Sequence, residues 1–392
     1  MLKYFVRSIE LFIKGSLASN KTDILIGEYV KLLGHGVHAS EILVLVQNST
    51  RKAEFQKQVF EKLSVDCMEK LQIHSFFSLV YNTVLDNWAF LEERNIFDNP
   101  VILPNLCGLE VSQFVLKDIL KDVKFKGYNS RMSLLQQIFR RYSLIIQNNL
   151  SPSEVNERAK ILKEGFSDEA SLAISKLLKK TLELRGFDYL RQCLLFNFIY
   201  KNTSYFNGIK YLFIDDADEC TPICIDFIEY LSKQLSDFCI AIDPSGSSRC
   251  GYLSADKNNF EHLKNIFKFK NKSEITNLNE TSKMKHDVQN LYKNVLSDEK
   301  NILENFSQVS CSKRSEMIDI TSKEIKKLLR SGVLPCEISI ITPIVDEMLK
   351  FTLKDSFKNI NPVYLTGSEK LIQNRLVYAA ITILRSEERR VG

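Results

Sequence analysis

The stretch Tyr211-Leu212-Phe213-Ile214-Asp215-Asp216-Ala217-Asp218-Glu219 constrains this chain more than any other. Four apolar residues run directly into four acids, with only Ala217 between them. An apolar run without polar alternation predicts a strand buried on both faces, as in the middle of a parallel sheet. Open α/β sheets of that kind bind ligands at the carboxyl ends of their strands. One carboxylate there can hold Mg2+ while the next orients or deprotonates a water. A solvated acidic turn would use the same residues, so other segments must decide.

A strand-loop-helix pattern lies near the amino terminus. Ile9–Lys14 reads as a strand, and an amphipathic helix runs to about Leu33. Between them stands the loop Gly15-Ser16-Leu17-Ala18-Ser19-Asn20-Lys21-Thr22. Its spacing is that of a phosphate-binding loop, G-x-x-x-x-G-K-[ST], with Asn20 in place of the second glycine. In such a loop the backbone N–H groups cradle phosphates, Lys21 neutralises charge and the Thr22 hydroxyl reaches Mg2+. Asn is among the side chains that best tolerate positive φ. The plainer alternative is a helix cap made by Ser19 or Asn20.

Further strands are predicted at Glu41–Val46, near Leu71–Phe77 and at Phe238–Ile242, the last ending on Asp243-Pro244. Polar and basic residues, Gln47–Lys52, follow the first of these; they suit contacts to a nucleic-acid backbone or a solvated turn. His74 stands alone, without a nucleophile pattern, and reads as structural rather than catalytic. Residues from about 90 to 205 carry helical spacing, as in Leu134–Ile146, Ala170–Leu178 and Phe187–Tyr200. The chain also repeats itself: LLGHGVHASEI (32–42) and LLRSGVLPCEI (328–338) share Leu, Leu, Gly, Val, Glu and Ile at identical spacing. Each copy predicts a helix end followed by a strand, Leu43–Val46 and Ser339–Thr342, and so two related α/β domains.

Composition narrows the class. A chain of 392 residues with 44% hydrophobic content can fill two or three domains. Its net charge of +5 is compatible with a polyanionic partner without demanding one. The nine cysteines lack metal-ligand spacing, only Cys220 and Cys224 lying close; free thiols in a reducing cytosol are expected. No apolar run approaches the roughly 18 residues of a membrane span, and the amino terminus has no signal-peptide pattern. A soluble, cytoplasmic protein is the expectation.

Together these elements resemble the UvrD/Rep family of superfamily 1 helicases. Gly15–Thr22 is similar to that family's ATP-binding loop, and Ile42–Ala53 to the motif that follows it and contacts single-stranded DNA. Ile73-His74-Ser75-Phe76 resembles its T-x-H-S/G segment, and Gly186–Leu190 its F-D-D-L signature. Ile214–Glu219 matches V-D-E-A-Q-D in frame, and Asp243-Pro244 falls where G-D-P-D-Q begins. The resemblance implies an α/β fold: a RecA-like P-loop domain with a parallel sheet, from residues 1–90 and 205–270. A helical insertion (91–204) and part of a second RecA-like domain (271–384) complete it. It also implies ATP and Mg2+ as cofactors, with Gly15, Ser16, Leu17, Ala18, Ser19, Asn20, Lys21 and Thr22 on ATP and Thr22 and Asp215 on the metal. Asp216 is the implied catalytic carboxylate, and Asn48, Ser49, His74 and Ser75 are the implied DNA contacts. The activity implied is movement on single-stranded DNA, or on a duplex with a single-stranded tail, in the 3′ to 5′ direction, as domain closure follows ATP binding.

Departures from the pattern open an alternative. Asp216 stands where the family has Glu, Asp218 where it has Gln, and Leu17 and Asn20 replace loop glycines. Asn279-Glu280-Thr281-Ser282 has Thr281 in the place of an arginine, and Pro343 occupies another arginine position. These favour ATP binding over hydrolysis, as in a helicase-derived DNA-binding scaffold, for example a subunit of a helicase–nuclease repair complex. The last eight residues, Arg385–Gly392, equal the translation of a common sequencing-adapter oligonucleotide. They read as an artefactual tail, with the natural chain expected to continue past Leu384.

Overall fold

The computed structural model describes residues 10–16, 19–63, 69–93, 104–123, 131–162, 167–244, 246–247, 255–267, 274–275, 283–296, 300–357 and 379. Leu17, Ala18, the 279–282 segment and the 385–392 tail lie outside them. The strands are β1 (Leu11–Lys14), β2 (Ile42–Val46), β3 (Gln72–Ser75), β4 (Asn105–Leu106), β5 (Gly186–Phe187), β6 (Tyr211–Ile214), β7 (Asp237–Ile242) and β8 (Glu274–Ile275). Helices α1 (Lys21–Gly34), α2 (Ser49–Lys62), α3 (Phe76–Asp86) and α4 (Trp88–Glu93) alternate with the first strands. Then come α5 (Leu109–Asp122), α6 (Arg131–Gln147), α7 (Pro152–Ile161), α8 (Ser167–Glu183) and α9 (Tyr189–Asn202). The remaining helices are α10 (Pro222–Ser232), α11 (Asn259–Phe267), α12 (Lys283–Leu296), α13 (Arg314–Arg330) and α14 (Glu347–Ser356).

Six strands form one parallel sheet in the order β3-β2-β6-β7-β1-β8. This is the expected α/β class with a parallel sheet, consistent with a RecA-like helicase domain. β6 sits inside, between β2 and β7, which is why Leu212, Phe213 and Ile214 could all be apolar. Its alternate residues serve two cores. Phe213 joins Leu11, Ile13, Val44, Ile73 and Cys239 beneath α1 and α2. Leu212 and Ile214 join Phe12, Leu45, Ile240 and the helices that follow β3. A run that looks uniform in sequence is thus divided by the period-2 geometry of a strand.

The helices between β3 and β6 share the second of these cores. Leu116, Ile138, Tyr142, Ile174 and Phe196 are buried with the sheet residues rather than in a cluster of their own. Their ends are set locally. Ser151 and Glu154 form a capping box with Pro152 in the first turn of α7, and Asp188 accepts from Arg191 N to cap α9. The polar, Lys- and Asn-rich stretch from 260 onward holds regular structure as well: α11 and α12 lie in it, and β8 pairs with β1.

The chain divides into two compact units, residues 1–305 and 306–392. In the second, Ile318, Leu349, Leu353 and Phe357 form a small core between α13 and α14. Arg314 grips Asp346 with two bonds of 2.6 and 3.1 Å, while Asp346 also caps α14 through Leu349 N.

The sequence repeat holds at the level of single hydrogen bonds. Val37 N reaches Leu32 O at 3.2 Å, and Val333 N reaches Leu328 O at 3.2 Å. Gly36 and Gly332 end their helices with φ of 83° and 97°, a left-handed conformation glycine adopts without strain. A 3-10 turn follows each, Ala39–Glu41 and Pro335–Glu337. The repeat ends there. The strand expected at Ser339–Thr342 is absent, and Ile341 is 95% exposed. β2 is a strand because β3 and β6 flank it, whereas no strand lies beside Ser339–Thr342 among the described residues.

Candidate nucleotide site

Every strand of the sheet runs the same way, so the segments after β1, β2, β3, β6 and β7 emerge at one edge. After β1, Gly15 N donates to Ile242 O at 3.0 Å, tying the loop to the end of β7. Ser19 N donates to Ser16 O at 3.3 Å, and Asn20 takes φ 61° and ψ 23°. The position where a phosphate loop has glycine is therefore left-handed here too, carried by an asparagine without a side-chain cap bond. Of the plainer alternative, a cap made by Ser19 or Asn20, the Asn20 version is not what the geometry uses. Lys21 and Thr22 open α1, with Lys21 8% exposed.

The acidic turn meets them across 193 residues of chain. Thr22 Oγ1 donates to Asp215 Oδ1 at 2.9 Å, and Lys21 Nζ lies 2.9 Å from Asp216 Oδ1. Asp215 N donates to Leu45 O at 2.9 Å, which continues the pairing of β6 with β2 past the strand's end. Asp216 adopts φ 52° and ψ 51°, a second non-glycine residue in the left-handed region at this edge. Asp218 is buried and its Oδ1 accepts from Asp243 N at 2.9 Å, joining the turn to the end of β7.

Burial and like charge dominate the electrostatics. Burial, then the neighbouring Asp216 charge, pushes Asp215 up to about 6 against the pull of Thr22, Lys21 and Arg51. Burial also pushes Asp218 up to about 7, with the Asp243 amide opposing it. For Lys21 burial acts downward, but the carboxylates of Asp216, Asp218 and Asp215 outweigh it and its pKa is raised. The site thus holds a firmly charged ammonium near two buried carboxylates, Asp215 and Asp218, that resist ionisation. A hydroxyl and a carboxylate oxygen in contact are hard donors suited to Mg2+, which takes only one or two protein ligands and completes its shell with water and phosphate. Among the described residues no group of three or more His, Cys, Asp or Glu forms a fuller cage.

Two groups at this edge were not picked out by sequence. Asn259, at the start of α11, donates through Nδ2 to Ala217 O, Asp218 O and Cys220 O at 3.3, 3.0 and 2.7 Å. It clamps the backbone of the acidic turn. Ser247 Oγ donates to Glu219 Oε2 at 2.8 Å. An Asn before an apolar helical pattern reads only as a cap, so a bond to a turn about 40 residues earlier left no sequence signal.

The four residues expected on DNA are placed differently from one another. Asn48 caps α2 by accepting from Arg51 N at 3.0 Å, and Ser49 beside it is exposed. Ser75, at the end of β3, caps α3 by accepting from Ser78 N at 3.2 Å. His74 lies within β3 and is 6% exposed; burial, with Lys52 and Lys70 nearby, pushes it down to about 4. Among the described residues no helix is long and apolar enough to cross a membrane.

No curated protein matches this chain. A family model does: that of the UvrD/REP helicase N-terminal domain matches residues 8–268, from the start of β1 through α11. The match spans the loop, the acidic turn and the helices between them, and by it the chain belongs to the UvrD/REP helicase family.

Proposed function

We propose that this chain binds ATP at the carboxyl edge of the sheet and couples it to movement on single-stranded DNA. The observation that carries the reading is the meeting of Lys21 with Asp216 and of Thr22 with Asp215, each at 2.9 Å. Lys21 would exchange its carboxylate for the β- and γ-phosphates, a move within reach of one flexible side chain. That exchange frees Asp216 to accept from the attacking water. Thr22 and Asp215 would hold Mg2+, which when bound neutralises charge on the phosphates. Gly15, Ser16, Ser19 and Asn20 would shape the loop around the phosphates at the amino end of α1, with Gly15 N and Ser19 N holding it in place through Ile242 O and Ser16 O. Asn48, Ser49 and Ser75, at the ends of neighbouring strands, would track the DNA backbone, with His74 supporting them from within β3. The domain reading goes with this: 1–90 and 205–270 as the ATP domain, 91–204 as a helical insertion, and 271–384 as part of a second RecA-like domain.

A second reading is a DNA-binding scaffold that holds nucleotide without turning it over. What favours it is Asp216, one methylene shorter than glutamate, left-handed and engaged by Lys21. Misplacement of a catalytic group by ~1 Å can cost ~100-fold in rate. DNA-stimulated ATP hydrolysis, measured for the parent and for Asn20→Gly combined with Asp216→Glu, separates the two. A motor limited by these residues gains rate with little change in DNA affinity. A scaffold hydrolyses nothing in either form yet still binds DNA. Loss of ATP affinity on Lys21→Ala is the common requirement, and equal affinity in parent and mutant ends both readings of the phosphate loop.

A further inference from the structure

The opposite, amino edge of the sheet holds a cavity of about 300 Å3, at the lower end of small-molecule pockets. It lies where β2 and β3 begin, between α3 and the segment that leads into β6, with Leu43, Leu79 and Phe206 as an apolar floor. Two of the residues that line it carry a polar atom just beneath the surface with no hydrogen-bond partner among the described residues: the hydroxyl of Thr83, 0% exposed, and Nδ1 of His74. Threonines in helices usually solve this by bonding back one turn, as Thr181 does with Leu177 O at 2.9 Å. Thr83 does not. His74 Nε2 faces Gln72 Oε1 at 3.2 Å, so with the proton on Nε2 its Nδ1 is an acceptor.

The rest of the lining indicates what the ligand is. The carboxamides of Gln72 and Asn82 offer donors and acceptors side by side. On the rim, Lys70 is balanced by Asp86, whose carboxylate accepts from Tyr205 OH at 2.6 Å. That balance selects neither a phosphate nor a cation. Apolar surface with a mixed neutral edge matches a planar ring that bears both donors and acceptors. We propose that this cavity binds one unpaired nucleobase, either of a free nucleoside or of a single strand. His74 would be neutral there at pH 7, which leaves its acceptor available. The inference stands apart from the phosphate-loop reading, which concerns the other edge.

The test uses the full chain carrying Lys21→Ala, so that nucleotide at the phosphate loop does not contribute. Each of the four deoxynucleosides, and a short oligothymidylate, is titrated by calorimetry against this protein and two variants of it. Thr83→Val keeps the shape and removes the hydroxyl; Ser40→Trp adds bulk at an exposed position on the rim. The expected result is saturable binding, weakened about tenfold by Thr83→Val, the loss of one hydrogen bond, and abolished by Ser40→Trp. A thermal midpoint for Thr83→Val at or above the parent's shows that the loss is not one of folding. Binding of the nucleosides themselves assigns the site to free ligand, and variant-sensitive binding of the oligonucleotide alone assigns it to a base in a strand. If no probe binds, or if binding ignores both substitutions, the proposal is overturned.

Discussion

After α1 the chain turns at Gly36, makes a 3-10 turn and enters β2; after α13 it turns at Gly332, makes the same 3-10 turn and continues without a strand. The two helices end at equivalent positions, and the cap residues His35 and Ser331 donate to matching carbonyls, those of Lys31, Leu32 and Leu33 and of Lys327, Leu328 and Leu329. What differs is the surroundings. Val44 is fully buried between two strands, and Ile341 is 95% exposed. In the repeat's register, Met317 and Ile318 stand where Lys21 and Thr22 begin the first helix. The comparison teaches that a helix end is written in a few adjacent residues, while a strand and a site both need partners from elsewhere.

The most forceful way to break the comparison is to place a charge in each copy. Val44→Asp buries an unpaired carboxylate in the sheet and should cost more than about 4 kcal/mol. Ile341→Asp should stay within about 0.5 kcal/mol. Chemical denaturation measures both, and a large loss from Ile341→Asp would mean that this segment has a packing partner. At the site itself, Lys21→Ala should weaken Mg·ATP binding by ~1.5–3 kcal/mol, the worth of charged hydrogen bonds. Met317→Ala, its counterpart in the second copy, should leave nucleotide affinity as it was. Calorimetric titration of both variants checks the contrast.

The acidic turn, which only the first unit carries, offers a pH test. Asp218 binds its proton more tightly folded, at about 7, than at its ordinary 3.8. Its contribution to stability is therefore full below 3.8 and is lost as pH rises through about 7. Asp218→Asn keeps the acceptor for Asp243 N and removes the titration. Its advantage over the parent should grow between pH 5 and pH 8 by on the order of 2 kcal/mol. A difference that does not vary with pH would mean that Asp218 is charged in the folded protein. The most symmetrical pair contrasts least: Gly36→Ala and Gly332→Ala should each cost about 1 kcal/mol, the strain of a left-handed alanine. No atom lies within 4 Å of either added methyl group, so packing adds nothing. Unequal costs would show that one turn depends on its unit after all.

Sequence alone determined what neighbours along the chain can enforce. The apolar run before Asp215 specified a buried strand, Lys21-Thr22 after a strand specified a loop at a helix start, and the two glycines specified two helix ends. The left-handed Asn20 belongs here as well, since few other side chains tolerate that conformation. Tertiary structure decided the rest. It brought Thr22 to Asp215 and Lys21 to Asp216, set Asn259 across the acidic turn, and divided one apolar strand between two cores. It also left Ser339–Thr342 without the partners that make Leu43–Val46 a strand. Helix caps and turns are closed by hydrogen bonds within a few residues, so their code is local. Strands, buried carboxylates and clamps are closed by groups tens to hundreds of residues away, and only the folded chain brings those groups together.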